Sequence, residues 1–273
     1  MEIIVDSRLD TTVNRPAYFR GSGHLVLGFL PPGSFITYDL LRKHVRAVLS
    51  TKAARDDCFW STLLIPITIG ILGSTVGVVP LHCACLEQNG RGLLIAGDSG
   101  VGKSTLTAAL AQRGFALISD DWTYFSREQS TVVAHGLFSP IKLLPDAVQF
   151  FRELRELTPA MSLNGELAYE VDPARFAGST VKNISRPSQI FFLERTSSRG
   201  CHFVPCTSAS IREFFEKNAE RLPDELIDAK NFRSTVIRTL STLPSWVLCT
   251  GESPQRTSEA IDHFILETKY ATA

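Results

Sequence analysis

The chain has 273 residues, with 28 Lys and Arg balanced by 28 Asp and Glu, so its formal net charge is zero. Its 44% hydrophobic and 21% charged residues form an ordinary globular composition, which excludes a disordered or collagen-like chain. The neutral balance, without any run of Lys and Arg, argues against nucleic acid as a partner, and the length suits one large domain or two modest ones.

The first fifty residues indicate a cytoplasmic protein with a strand-rich beginning. Residues 1–6 lack the basic region and apolar core of a secretory signal, and six cysteines are too few for a disulfide framework. Apolar runs at 24–30 and 34–38 flank a Pro-Pro-Gly turn, which predicts a hairpin. Apolar residues at helical spacing then predict a helix over residues 38–55.

A long uncharged stretch follows, because residues 58–86 contain no Asp, Glu, Lys or Arg. Its heart, residues 60–79, has the length of about 20 apolar residues that a membrane span needs. Pro66, three glycines, several hydroxyl side chains and the lack of a basic flank argue against a span. We therefore expect residues 58–72 to form a buried helix and residues 74–86 to lead into a central strand, and a membrane-tethered protein stays the less favoured interpretation.

Residues 97–104 read Gly-Asp-Ser-Gly-Val-Gly-Lys-Ser and match the complete G-x-x-x-x-G-K-S/T phosphate-binding pattern. A short apolar strand at 93–96 precedes the loop, and a helix at 104–113, ended by Gly114, follows it. Glycines allow backbone N–H groups to face phosphate oxygens, Lys103 reaches the β- and γ-phosphates, and Ser104 binds Mg²⁺. The predicted nucleotide-binding residues are Gly97, Asp98, Ser99, Gly100, Val101, Gly102, Lys103, Ser104 and Thr105.

Two adjacent carboxylates, Asp120 and Asp121, come at the end of the next predicted strand, residues 116–119. Strand, helix and strand form a βαβ unit, so we expect a parallel sheet whose carboxyl edge carries both aspartates beside the phosphate loop. One of them would hold Mg²⁺ and the other would accept a proton, and the sequence leaves open which does which. His82, on the strand before the loop, is by itself more typical of a packed histidine than of a catalytic one.

The rest of the chain predicts further α/β structure. We expect helices at 146–157, 208–221 and 258–268, and strands at 189–193 and 245–249. The predicted organisation is α/β, with a small N-terminal α+β addition over residues 1–73 and a catalytic domain over residues 74–273.

The spacing of His82, the loop 97–104 and the aspartate pair resembles the HPr serine kinase/phosphorylase family, over about residues 81–121. The resemblance implies a phosphoenolpyruvate-carboxykinase-like P-loop kinase core. It further implies that Asp121 is the catalytic base, that His82 and Lys103 are active-site residues, and that Ser104 binds Mg²⁺, which leaves Asp120 as a second catalytic or metal-binding carboxylate. It also implies a homo-oligomer.

The sequence departs from that family in two places. The Glu-x-Arg-Gly signature of the bifunctional enzymes is missing, which argues against phosphorylase activity, and residues 1–80 do not resemble the family's N-terminal domain. Among the later basic residues, the candidates for stabilising transition-state charge are Lys142, Lys182, Arg186 and Arg195, although any single one of them is more typical of a solvated side chain. Lys142 and Arg186 are the preferred phosphate or substrate contacts.

These observations predict a cytoplasmic ATP- and Mg²⁺-dependent kinase. It would transfer the γ-phosphate to a serine or similar hydroxyl of a small protein, peptide or metabolite. The alternative is a P-loop ATPase or nucleotide switch that has no phospho-acceptor.

Overall fold

The computed structural model describes residues 1–10, 17–31, 33–137, 140–161, 166–176, 178–197 and 199–271, and the chain is α/β. The strands are β1 (Glu2–Val5), β2 (Tyr18–Ser22), β3 (Leu25–Leu30), β4 (Ser34–Asp39), β5 (His44–Leu49), β6 (Val79–His82), β7 (Ala84–Gln88), β8 (Arg91–Ala96), β9 (Ala116–Ser119), β10 (Trp122–Glu128), β11 (Thr131–His135), β12 (Ile141–Leu143), β13 (Ala160–Met161), β14 (Leu167–Val171), β15 (Thr180–Val181), β16 (Ile184–Ser185), β17 (Pro187–Arg195), β18 (Cys201–Pro205) and β19 (Ser245–Thr250). The helices are α1 (Thr51–Arg55), α2 (Ile65–Leu72), α3 (Lys103–Gln112), α4 (Ser208–Asn218), α5 (Ile227–Leu240) and α6 (Pro254–Ala271).

The chain divides into two compact units whose bounds differ from the division at residue 73 that the sequence predicts. The first unit comprises Met1–Pro80, Met161–Glu166 and Ala219–Val236, and the second comprises the remaining segments. The segment 219–236 joins the first unit because its apolar side chains Leu222, Leu226 and Ala229 are buried in that unit's core. Burial of apolar area, rather than order along the chain, therefore sets the division.

A five-stranded sheet in the order β1-β5-β4-β3-β2 forms the first unit. The antiparallel pair β3 and β4 confirms the predicted hairpin, but the helix predicted over residues 38–55 is wrong. Strand β5 and the short helix α1 occupy that region. Val45, Ala47 and Leu49 are buried and alternate with exposed His44 and Arg46, so the apolar side chains follow the two-residue period of a strand.

The uncharged segment before β6 is helical and partly buried, with Phe59, Leu63 and Leu64 in the core of the first unit. A π-helical stretch at Phe59–Leu64 runs into α2, a 3-10 turn at Gly73–Val76 follows, and no residue of α2 is fully buried. The prediction of a buried helix over residues 58–72 is therefore correct for the helical conformation and only partly correct for burial, since the π-helical stretch has buried residues and α2 has none. By length and composition Phe59–Val76 could cross a membrane, a property shared by core helices of soluble proteins, and 28% of it is buried.

The second unit contains a seven-stranded mixed sheet in the order β15-β9-β7-β8-β17-β19-β18. Strands β8, β17 and β19 are parallel, whereas β7 runs antiparallel to both of its neighbours, β8 and β9. The expected parallel sheet is therefore only partly correct, since β7 separates the two strands of the βαβ unit. Both of those strands still end at the same edge of the sheet, because each is antiparallel to β7.

The strands predicted at 189–193 and 245–249 and the helices predicted at 208–221 and 258–268 are present as β17, β19, α4 and α6, whereas the helix predicted at 146–157 is not. Two 3-10 turns, Pro145–Gln149 and Arg152–Leu154, replace the helix predicted there. Phe151 has an extended backbone (φ −127°, ψ 111°), which interrupts the helix, and its buried ring packs against Phe176 with 5.6 Å between ring centroids. Helix α5 was not predicted.

Candidate active site

The loop between β8 and α3 has the backbone that its glycines permit. Gly97, Gly100 and Gly102 have φ values of 147°, 77° and 100°, a region that side chains rarely adopt. A Cβ on Gly97 would lie 2.7 Å from the carbonyl oxygen of Leu193, so the loop also packs closely against the end of β17. Helix α3 begins directly after Gly102, and its first N–H groups and positive dipole end provide an anion-binding position.

Lys103 is 7% exposed and spans the inside of this loop. Its Nζ donates hydrogen bonds of 3.0 Å to the carbonyl oxygens of Gly97 and Asp98. Burial lowers the pKa of the Lys103 ammonium, although the nearby charges of Asp121 and Asp120 act to raise it. The Lys103 ammonium can exchange the carbonyl oxygens of Gly97 and Asp98 for phosphate oxygens with only a small movement of its side chain.

Asp120 follows β9 and is 4% exposed. Its Oδ2 accepts a hydrogen bond of 3.2 Å from the backbone N–H of Lys142, while its buried Oδ1 has no partner among the described residues. Burial, together with the charge of Asp121, raises the pKa of Asp120 to about 7, and the neighbouring Ser104 hydroxyl acts against this rise. An unpaired buried carboxylate oxygen beside a hydroxyl suits a hard cation such as Mg²⁺.

The described residues contain no group of three or more His, Cys, Asp or Glu side chains that could hold a metal ion. Within this part of the chain, a cation at Asp120 and Ser104 would need further oxygen ligands from water or phosphate. This is the usual coordination of Mg²⁺ at nucleotide sites, because Mg²⁺ keeps several waters and binds substrate phosphates.

Asp121 has a 60% exposed side chain and pairs with His82, whose Nε2 lies 2.7 Å from Asp121 Oδ1. Desolvation acts to raise the pKa of Asp121, but the hydrogen bond and charge of His82 and the charge of Lys103 bring it below the ordinary value. Asp121 therefore stays ionised while Asp120 favours a proton or a cation. Two neighbouring carboxyl groups with opposite pKa shifts are suited to different chemical roles.

His82 is placed by the strands around it. The four-stranded sheet has the order β16-β11-β10-β6, which brings the end of β6 beside the start of β10. Thr123 Oγ1 donates a 2.7 Å hydrogen bond to the carbonyl of Cys83, and the rings of His82 and Trp122 lie 5.6 Å apart. The structure thus brings His82, Lys103 and the aspartate pair together, as the sequence predicts for an active site.

The later basic residues are placed differently from the prediction. Lys142 lies at the site, since its amide binds Asp120 and its charge helps to lower the pKa of Asp121. Arg186 does not: its carbonyl accepts from Gly92 at the start of β8, far along the strand from the loop, and its Nη2 lies 3.2 Å from Glu128 Oε2. The structure therefore does not bring Arg186 to the phosphate loop.

Sequence reasoning ranked Arg195 too low. It ends β17, the parallel neighbour of β8, and its Nε donates a 3.1 Å hydrogen bond to the carbonyl of Val101 in the loop. Its place at the carboxyl end of a predicted strand was a usable signal, because such ends meet at one edge of the sheet. Asp98, Ser99 and Val101 lie in the loop and Thr105 in the first turn of α3, where the sequence predicts them.

Comparison with known proteins gives one consistent relationship. Residues 77–141 match the family model of the HPr serine kinase C-terminal domain. HPr kinase/phosphorylase of Limosilactobacillus reuteri is 44% identical over 54 residues, which cover 19% of this chain and 17% of that protein. HPr kinase/phosphorylase of Bordetella pertussis is 34% identical over 107 residues, 39% of this chain and 32% of that protein. The chain thus matches less than a third of the length of these relatives.

A solved structure of the HPr(Ser) kinase/phosphatase from Coxiella burnetii is also similar. Its TM-score is 0.40 at 14% sequence identity, and the superposition covers 70% of this chain and 98% of that one. The segment 77–141 that matches the family model contains β6 to β11, the phosphate loop, the aspartate pair and His82.

Proposed function

We propose that the chain is an ATP-dependent kinase, because residues 77–141 are similar to the HPr serine kinase C-terminal domain and to HPr kinase/phosphorylases. It transfers the γ-phosphoryl group of ATP to a serine or similar hydroxyl of a small protein, peptide or metabolite. The observation that carries the proposal is the pair of neighbouring carboxyl groups with opposite pKa shifts, beside a glycine loop that holds a buried lysine. Phosphoryl transfer requires positioned charge rather than covalent participation of the protein.

Nucleotide binding uses the loop from Gly97 to Ser104. Its backbone N–H groups and the start of α3 bind the phosphates, and Lys103 turns from the carbonyls of Gly97 and Asp98 to phosphate oxygens. The buried position of this ammonium strengthens its attraction for the anion, since nearby water is excluded.

Ser104 and Asp120 hold Mg²⁺ in this proposal, because Asp120 offers a buried oxygen without a hydrogen-bond partner among the described residues. Bound Mg²⁺ neutralises charge on the phosphate oxygens. Asp120 gives up its proton when the cation binds, and the amide of Lys142 keeps the carboxyl group oriented.

Asp121 accepts the proton of the attacking hydroxyl. As the bond from the acceptor oxygen to the γ-phosphorus forms, the bond from that phosphorus to the β–γ bridging oxygen breaks, ADP leaves, and the proton passes to an Asp121 oxygen. His82 orients the carboxylate through its 2.7 Å contact with Oδ1. Since a carboxylate is a weak base for a hydroxyl, positioning contributes more than basicity.

The chemical class of the phospho-acceptor is also part of this proposal. The relatives are named for acting on HPr, and for this chain we extend the acceptor class to small proteins, peptides and metabolites with a hydroxyl group. We also propose that the catalytic domain lies within residues 74–273 and corresponds to the second unit, and that the protein works in the cytoplasm as a homo-oligomer without nucleic acid.

To test the proposal, the protein is incubated with Mg²⁺, ATP labelled in the γ-phosphate and candidate acceptors, including the products of neighbouring genes. The measurement is where the labelled phosphate ends up. We expect label on an acceptor hydroxyl with the wild-type protein, and a loss of several orders of magnitude with the Lys103→Ala variant. Label released only as inorganic phosphate, with every acceptor tried, would favour an ATPase or nucleotide switch. Unchanged transfer by Lys103→Ala would refute the role of the loop.

A further inference from the structure

We infer that Arg195 is a positioning residue that holds the Val101–Gly102 peptide so that the N–H of Gly102 faces the bound phosphate. This inference rests on the proposed nucleotide binding. It assigns a role to a side chain that lies outside the residues 77–141 matched by the family model.

Arg195 links the phosphate loop to the loop that follows β19. Its Nε donates to the carbonyl of Val101 at 3.1 Å, and its Nη1 donates to the carbonyl of Glu252 at 2.9 Å. Glu252 is itself held, because its Oε1 accepts a 2.9 Å bond from the N–H of Gly200 and its own N–H donates to Thr250 Oγ1 at 3.1 Å. The guanidinium group is therefore fixed at both ends.

Because the peptide bond is planar, the hydrogen bond from Arg195 to the Val101 carbonyl also determines the direction of the Gly102 N–H. In a trans peptide the C=O and the following N–H point in opposite directions, so holding the carbonyl of Val101 fixes the direction of the Gly102 N–H. Gly102 has φ of 100° and no side chain, so the peptide before it is easily rotated. An outside contact such as that of Arg195 removes this freedom before the nucleotide binds.

The close packing of Arg195 against Gly102 supports this positioning role. A Cβ on Gly102 would lie 3.0 Å from Arg195 Nη2, so the guanidinium packs directly against the glycine. Glycine at this position thus serves both the positive φ and the approach of the arginine.

Lys103 and Arg195 hold different parts of the loop. Lys103 holds the carbonyls of Gly97 and Asp98 and must release them to reach phosphate. Arg195 holds the carbonyl of Val101, the face of the peptide directed away from the phosphate, so nothing requires it to move when the nucleotide binds. Its contribution is to binding of phosphate, before and during the reaction, rather than to bond making.

The experiment measures the affinity of pyrophosphate, and separately of ADP, by calorimetry for the wild type and three variants. Arg195→Met keeps the side-chain stem and removes the donors, Arg195→Lys keeps one charge, and Arg199→Met removes a nearby exposed arginine as the control. We expect Arg195→Met to weaken both ligands at least about 10-fold, the value of one charge-assisted hydrogen bond, and Arg195→Lys to fall between it and the wild type. The Arg199→Met variant should bind pyrophosphate and ADP with affinities within about twofold of the wild type, a change much smaller than that expected for Arg195→Met.

A second measurement separates positioning from general stability. In the wild type, the backbone amide resonance of Gly102 should shift when pyrophosphate is added, and this response should be reduced in Arg195→Met at unchanged melting temperature. If Arg195→Met does not fold, Arg195→Lys and the wild-type response carry the test. An unresponsive Gly102 amide in the wild type, or equal pyrophosphate affinity of wild type and either Arg195 variant, overturns the inference. Failure of the wild type to bind either ligand overturns the proposed nucleotide function as well, so the two failures are distinguishable.

Discussion

Replacing Asp120 with asparagine removes a buried negative charge and keeps a side chain of the same shape. An amide oxygen can still accept the hydrogen bond that the Lys142 N–H donates to Oδ2. The change therefore tests the unusual protonation of Asp120 without creating a cavity. In metal-free buffer we expect the Asp120→Asn variant to be more stable than the wild type at pH 8.

The size of the effect follows from the pKa. Folding raises the pKa of Asp120 from 3.8 to about 7, a difference worth about 4 kcal/mol at roughly 1.4 kcal/mol per pH unit. The folded protein binds this proton more tightly than the unfolded chain does, so the wild type loses stability as the pH rises from about 4 to 7. Above pH 7 the asparagine variant should be more stable by up to about 4 kcal/mol, and near pH 4 the two should converge.

Urea unfolding of both proteins between pH 4 and 9, with EDTA present, measures this difference. The Asp121→Asn variant is the matched control, because it removes the second cause of the raised pKa and should shift the pH dependence only in part. Adding Mg²⁺ with ADP should stabilise the wild type more than Asp120→Asn, because the variant keeps the phosphate loop but lacks the carboxylate ligand of Mg²⁺. If the free energies of unfolding of the wild type and Asp120→Asn changed with pH in parallel across this range, the claim that burial raises the pKa of Asp120 would be refuted.

Three further changes test the surroundings of the site. His82→Leu removes the hydrogen bond and charge that lower the pKa of Asp121, so the acidic limb of the pH–rate profile should move to higher pH, and an unmoved limb would contradict the pairing. Gly102→Ala forces a side chain into φ of 100° and against Arg195, so chemical unfolding should show a loss of about 1–3 kcal/mol together with weaker ADP binding. Arg186→Met should leave ADP affinity unchanged in a calorimetric titration, and a large loss would return Arg186 to the site.

The phosphate loop was predictable because its chemistry is local. Glycines with positive φ, a lysine and a hydroxyl must follow one another in the chain, so residues 97–104 carry the whole motif. His82 is distant from the loop in the sequence, so it entered the prediction only as an active-site residue implied by the resemblance to a known family, and its pairing with Asp121 was not predicted. The structure places the two side chains 2.7 Å apart.

The failures have a common physical cause, which is that burial is decided by distant parts of the chain. Leu41 and Val45 have helical spacing in the sequence, yet Leu41 is 48% exposed and Val45 lies in the core of a sheet. Helix α5 contributes to the core of the first unit from more than 150 residues further along the chain, which no local pattern indicates.

The sequence favours Arg186 over Arg195 as a phosphate contact, whereas the structure places Arg195 at the loop, and the reason for this difference is related. The two residues lie at opposite ends of β17, and only the direction of that strand beside β8 decides which end meets the loop. The parallel register places Arg195 at the loop.

The most direct test of the central claim compares Asp121→Asn with the wild type in two assays on the same preparations. The first is transfer of labelled phosphate from ATP to the acceptor hydroxyl, and the second is ATP affinity. We predict that transfer is abolished while ATP affinity stays within a few-fold of the wild type, since Asp121 accepts the hydroxyl proton and the loop binds the nucleotide. Preserved transfer, or an equal loss of transfer and ATP binding, would contradict the assignment of Asp121 as the base of a hydroxyl kinase.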